Sequence, residues 1–459
     1  MSDAQVQLRD AQLRDAQLKD AQLKDAQVKD AQLKEMVAGE LDAGRRRTLA
    51  LLEPLADHDL RRQHSPLMSP LVWDLAHVGN YEDLWLLRGL GLEGVGDQYD
   101  HLYDAFRHPR PDRPRLPLLG PAEAREYIAR VRGRALDALD RVELDPGVRL
   151  LGGGFVYGMV VQHEHQHVET MLATLQLKDG PVHLSPAEPL RAGAVVTPEE
   201  VLVDGGPFMM GTDREPWAYD NERPGHEVHV DPFFLDTAPV TNRAFLAFID
   251  ADGYHEARWW SEEGWAWRRE AGLEHPEFWR RDGASWSVRR FGRWVALDLA
   301  EPVQHVCWYE ADAYARWRGR RLPSEAEWEK AASWDPARNR KRRYPWGDAA
   351  PDASRANLGQ RHLGPAPVGA YPGGVSAYGC TQLIGDVWEW TASDFTAYPG
   401  FTAFPYPEYS EVFHGPDYKV LRGGSWATDP TAVRNTFRNW DYPIRRQIFA
   451  GFRTARDAV

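Results

Sequence analysis

The sequence predicts a chain of two unlike parts, a bundle of antiparallel helices followed by an α+β domain. Three observations carry that expectation. Residues from about 38 to 185 run in long periodic stretches, such as Leu71 to Leu90 and Pro121 to Leu144, separated by short Pro/Gly/Asp breaks, the texture of helices joined by tight turns. Past a turn-rich segment around Pro181 to Thr197 the chain changes to short strand-like runs with many Gly and Pro and scattered Trp, which reads as α+β with much irregular chain. At 459 residues it is also too long for one ordinary core. The expected divisions are 1–37, 38–190 and 191–459.

The first of these divisions is a repeat. Asp10 to Arg14, Asp15 to Lys19 and Asp20 to Lys24 each follow the pattern Asp-Ala-Gln-Leu-Lys/Arg, and these residue types favour helix. A step of five residues turns a helix by roughly 140°, so Leu8, Leu13, Leu18 and Leu23 make no continuous apolar stripe. A solvated helical extension without chemistry is expected.

Composition narrows the function classes. The formal net charge is −13, and no basic cluster is interleaved with aromatics, so nucleic acid is not an expected partner. The two cysteines, Cys307 and Cys380, suit packing in a reduced, cytoplasmic setting. The start lacks a basic stretch followed by an apolar one, and no run of 18 apolar residues occurs, so no membrane partner is expected. The protein is expected to act as a monomer.

Within the helical part, the densest chemistry lies in Gln162 to Glu169 (QHEHQHVE). His163 and His167 stand at i and i+4, so both imidazoles leave one helical face and can share a cation. His165 points elsewhere. Glu169 is placed to orient a ligating imidazole. A third ligand must come from another helix, and His77, within the apolar periodic segment Trp73 to His77, is the candidate. Three neutral imidazoles serve Zn, Cu and Fe alike, so the ligand set alone leaves the metal open.

The second part contains Val203 to Gly211 (VDGGPFMMG), Asn221 to His226 (NERPGH), Arg321 to Glu329 (RLPSEAEWE), Tyr344 to Gly347 (YPWG), Gly385 to Trp390 (GDVWEW) and Val420 to Trp426 (VLRGGSW). This series resembles the formylglycine-generating-enzyme fold, a C-type-lectin-like α+β domain. Joined to a DinB-like bundle, it resembles the ergothioneine sulfoxide synthases, or hercynine oxygenases, over roughly residues 38 to 457. Ser69 to His77, His163 to Met171 and Phe437 to Arg453 carry that likeness. True formylglycine-generating enzymes use a cysteine pair near the chain end. No Cys follows Cys380, so the resemblance implies the fold without that chemistry.

What the resemblance implies is a mononuclear non-haem iron(II) enzyme that joins γ-glutamylcysteine to hercynine with O2, forming a sulfoxide. It makes His77, His163 and His167 the iron ligands and sets Gln166 against the hercynine imidazole. Asn439 and Trp440 match residues that bind the trimethylammonio-carboxylate end, while Asp441 and Arg445 match residues that bind γ-glutamylcysteine. Arg110 looks like the bundle arginine that pairs with a thiol-substrate carboxylate, with Arg113 as the alternative. Tyr406 looks like the tyrosine that supplies a proton or hydrogen atom to oxygen, with Tyr398 and Tyr409 as rivals. Oxidative coupling needs a redox-active metal, which Zn(II) is not. The competing readings are a sibling enzyme using cysteine, a selenosugar or histidine, and a metal-binding or lectin-like module without catalysis. Trp388 and Trp390 are expected to pack in the core, and Gly423 and Gly424 to make a tight turn.

Overall fold

The computed structural model describes residues 3–189 and 199–458, with side chains from residue 27 onward. The expected division at 190/191 and the side chains of most of the N-terminal repeat lie outside the described residues. Two compact units form, one from residues 1–50 and 72–164, the other from 51–71 and 165–459.

Four long helices build the first unit: α1 (Asp3–Leu52), α2 (Leu71–Leu86), α3 (Pro121–Arg141) and α4 (Phe155–Leu177), whose second half continues into the other unit. The repeat is helical and runs without a break through position 37. Helix α3 starts with Pro at its first turn, and Glu123 accepts a 2.8 Å bond from the backbone N–H of Gly120, which stops fraying there. Gly79 lets α2 approach α3 closely, because a Cβ there would lie 2.5 Å from Ile128 Cγ2.

Each of the four helices also contributes to one buried polar network. Arg45 on α1 donates from Nε to Glu164 on α4 at 2.8 Å and from Nη2 to Glu82 on α2 at 2.7 Å. Arg132 on α3 donates from Nε to Glu82 at 2.5 Å and from Nη2 to Glu164 at 3.0 Å. Thr48 adds a hydroxyl donor to Glu164 at 2.9 Å. Two cations and two anions removed from water are tolerable only because nearly every lone pair is matched by an N–H or O–H.

The second unit is α+β. Seven of its strands are β1 (Glu200–Val203), β2 (Phe233–Asp236), β3 (Trp388–Phe395), β4 (Gly415–Arg422), β5 (Arg438–Asp441), β6 (Ala450–Gly451) and β7 (Ala455–Asp457). They form one sheet of order β1-β2-β7 and another of order β5-β4-β3-β6. Val203, Phe208, Leu235, Trp328, Leu383 and Ala455 share one core cluster.

The sequence motifs of this unit hold each other. Helix α5 (Glu325–Ser333) opens with Ser324 accepting from Glu327 N and Glu327 accepting from Ser324 N, a reciprocal cap. From α5, Glu325 and Glu329 receive Arg422 at 2.7 and 2.6 Å. Arg438 also donates to Glu325, and both Trp328 and Arg453 donate to Glu389 at 2.7 Å. Gly423 takes φ 93° and Gly424 φ 77°, as the tight turn requires.

Candidate metal centre

His77, on α2, and His163 and His167, one turn apart on α4, bring one ligating atom each to within 4.8 Å of one another. His77 Nδ1 donates to the carbonyl of Tyr103 at 2.7 Å. The neutral ring therefore carries its lone pair on Nε2, which lies 3.2 Å from His163 Nε2. Two nitrogens each about 2.1 Å from one ion and at right angles would stand about 3.0 Å apart, so the spacing of this pair suits a shared divalent transition metal. The rings are held by aromatics: Trp73 stacks on His77 with centroids 4.5 Å apart, and Tyr81 on His163 at 3.7 Å.

The remaining residues of the α4 motif turn elsewhere. Glu164 belongs to the four-helix network. Buried His165 faces Asp429 at 3.6 Å, in keeping with its expected direction. Glu169, expected behind an imidazole, instead accepts from Trp388 Nε1 at 2.7 Å, Ser425 Oγ at 2.9 Å and Thr428 Oγ1 at 2.8 Å. The Trp388 indole is buried as expected, yet its N–H grips the helix that carries His163 and His167.

In the second unit Gln166 donates to the phenol of Tyr409 at 3.5 Å. Tyr409 stacks on Tyr219 at 4.3 Å and meets the rings of Tyr406 and Trp440 edge-on, at 6.1 and 6.4 Å. Burial, reinforced by Tyr219, pushes its phenol well above the ordinary range. Tyr398 is buried apart from this group, beneath the guanidinium of Arg438 at 4.2 Å. Trp440 sits on β5 opposite Val420 of β4 and stacks on Phe395 at 4.1 Å. Asn439 caps the Trp440 N–H at 2.9 Å, and Asp441 pairs with Arg445 at 3.4 Å. Neighbouring Arg446 is structural, bound to buried Glu310 at 3.0 Å.

Arg110 and Arg113 share one short 3-10 segment, Arg110–Arg115, in the first unit. Arg113 is buried, stacked 3.6 Å over Trp73, and donates to the carbonyls of His108 and Ala105. Burial lowers its pKa to about 10 against the pull of Asp74. Arg110 is half-buried.

Comparison with known proteins agrees with both parts. Residues 40–171 match the DinB superfamily, and residues 187–458 match the sulfatase-modifying factor enzyme 1-like domain. The chain is 54% identical over 423 residues to a hercynine oxygenase of Mycolicibacterium thermoresistibile, covering 90% of this chain and 93% of that one. A hercynine oxygenase of Mycobacterium tuberculosis is 52% identical over 423 residues, covering 91% and 97%.

The chain belongs to the hercynine oxygenase family.

This hercynine oxygenase relative is also 34% identical over 311 residues to a formylglycine-generating enzyme of Streptomyces coelicolor, covering 60% of this chain and 95% of that one. In this member of the hercynine oxygenases, Cys307 and Cys380 are both free and buried. Burial pushes the Cys380 thiol up to about 11 and the Cys307 thiol well above its ordinary range, which disfavours thiolate chemistry at either. Among the described residues no helix is long and apolar enough to cross a membrane. Sequence reasoning missed Trp73 and Tyr81 as neighbours of His77 and His163, although the spacing Trp73-x3-His77-x3-Tyr81 puts Trp73, His77 and Tyr81 on one row of a helix.

Proposed function

We propose that this chain uses Fe(II), held by His77, His163 and His167, to join the thiol of γ-glutamylcysteine to the imidazole C2 of hercynine with O2. The thiol S–H and the C2–H are lost, a C–S bond forms, one oxygen atom ends on sulfur, and the other leaves as water with both protons. The observation that carries this reading is the convergence of three imidazoles from two helices in a chain of the hercynine oxygenase family.

Iron(II), when bound, supplies the redox capacity that oxidative coupling needs and Zn(II) lacks. The chain does the rest by position. Three neutral imidazoles add no anion, which leaves the charge balance open to a substrate thiolate. Gln166, one turn along α4 from His163, orients the hercynine imidazole. The Trp440 face, fixed by Phe395, suits a trimethylammonium group through cation–π attraction, and Asn439 receives the same end of the substrate. Asp441 and Arg445, already paired with each other, bind the amino and carboxylate groups of γ-glutamylcysteine, with Arg110 on a second carboxylate. Tyr406 delivers a proton from its phenol to the oxygen being reduced. That choice is supported by the enclosure of Tyr398 and by the bonding of Tyr409 to Gln166. A reducing, cytoplasmic setting belongs to the same reading, supported by two unpaired, buried cysteines.

The test is an aerobic assay of Fe(II)-loaded protein with hercynine and a panel of thiols, read by product mass. The coupled sulfoxide should dominate with γ-glutamylcysteine. Preference for another thiol would revise the donor, and no coupled product with any thiol would sink the reading. In Tyr406→Phe, sulfinic acid should gain on sulfoxide. An unchanged ratio there, with a switched one in Tyr409→Phe, would move the role to Tyr409.

A further inference from the structure

We propose that Trp73 and Tyr81 are positioning residues of the metal centre, fixing the ring planes of His77 and His163 before the ion binds. This rests on the reading of the triad as a metal site and extends it to residues that touch no metal.

On α2, Trp73, His77 and Tyr81 stand at i−4, i and i+4 and form one row. The Trp73 indole lies nearly parallel to the His77 imidazole, at 14°, and Tyr81 lies nearly parallel to His163, at 15°. Each clamp is itself immobilised. Trp73 is wholly buried, donates from Nε1 to the carbonyl of Leu102 at 3.0 Å, and carries Arg113 over its ring. Tyr81 is buried and packs at a tilt against Trp85, with centroids 6.2 Å apart.

The geometry matters because a metal–imidazole bond lies in the plane of the ring. The last torsion of histidine is broad and roughly two-fold, so a free imidazole samples many planes. A ring stacked on its face removes that freedom and leaves the nitrogen edge open. For His77 the Tyr103 carbonyl also sets which nitrogen carries the proton. The chain therefore meets the cost of ordering two ligands during folding rather than during metal capture. One stacked aromatic pair is worth about 2- to 12-fold in an equilibrium constant.

The experiment is Co(II) binding to the metal-free, full-length protein, by competition with a chromophoric chelator, with melting temperature measured on each metal-free variant. Tyr81→Leu should weaken Co(II) binding about 2- to 12-fold in protein whose melting temperature shows it folded under the assay conditions. Tyr81→Phe, which keeps the stack, should stay within about two-fold of the parent. Equal affinity in Tyr81→Leu would overturn the proposal. So would an equal loss in Tyr81→Phe, which would assign the effect to the hydroxyl. If Tyr81→Leu does not fold, the metal-free parent decides. Its His163 ring protons should be shifted upfield by the Tyr81 ring current, and unshifted resonances would overturn preorganisation. Failure of the parent to bind Co(II) at all would instead sink the reading of the triad.

Discussion

Glu164 and Glu169 stand five residues apart on α4, and their surroundings are opposite in kind. Glu164 is seated among charges, receiving Arg45, Arg132 and Thr48. Burial alone would raise its pKa, but the two guanidinium groups outweigh it and hold the carboxyl at about 2. Glu169 is seated among neutral donors, an indole N–H and two hydroxyls. There burial prevails and pushes the carboxyl up. Anchoring a helix thus requires that lone pairs be matched, while a counter-charge is optional. Neither anchor uses the face that bears His163 and His167.

The largest expected effect comes from touching that face and neither anchor. His163→Ala should cost more than about 100-fold in metal affinity, beyond what outer partners of a ligand usually contribute, and turnover should vanish while the fold remains. His165→Ala should keep its metal. Metal analysis and rates on the two variants separate the faces, and full occupancy in His163→Ala would break the comparison at its root.

Next comes the charged anchor. Glu164→Gln leaves two buried arginines short of an anion, a change that typically costs about 3–5 kcal/mol. Denaturant unfolding reads it, and a loss under about 1 kcal/mol would show that charge is as dispensable there as at Glu169.

Acid extends the same contrast to the second unit. His305 is buried and donates from Nδ1 to the carbonyl of Arg446 at 3.0 Å, while the charges of Arg446 and Arg290 oppose its protonation. Burial takes its pKa from 6.5 down to about 3. The folded state therefore resists a proton that the unfolded chain accepts. Its contribution is complete above pH 6.5 and shrinks as pH falls toward 3, by about 1.4 kcal/mol per unit at most. Glu329, held at about 2 by Lys341 and Arg422 against its burial, adds a second loss that begins only below its free value of 4.5. Unfolding free energy measured from pH 7 to 5 should slope downward in the parent and flatten in His305→Gln. An unchanged slope would place the acid-sensitive group elsewhere.

The smallest effect belongs to the neutral anchor. Glu169→Gln keeps one acceptor oxygen for three donors and should cost about 1 kcal/mol. A loss as large as that of Glu164→Gln would mean that Glu169 works through its charge.

Which of these features the sequence displays depends on how far apart the partners lie. The i,i+4 spacing of His163 and His167 is local, and so is the change from long helical periods to short strands, and both were legible. His77 was legible as a polar residue in an apolar run. Trp73 and Tyr81 obey the same local spacing but look like core, because an aromatic beside Leu and Ala has an ordinary packing role. Glu169 was misplaced because Trp388, Ser425 and Thr428 come from more than 200 residues away, where no periodicity reaches. Separations of 97 and 93 residues likewise hid the pairing of Glu325 and Glu329 with Arg422, so the motifs of the second part could be noticed without their mutual bonds being read.

The four-helix ion network also has a consequence for the chain as it is made. Arg45 is translated 119 residues before Glu164. At about 5–20 residues per second that is a delay of roughly 6–24 s, during which α1 cannot form its bond to Glu164. Since Glu164 follows His163 directly, the bundle gains its last counter-charge and the imidazole that faces His77 in the same interval. Closure of the bundle and assembly of the histidine cluster are then one late event of synthesis, and a ribosome stalled before α4 would hold a bundle able to do neither.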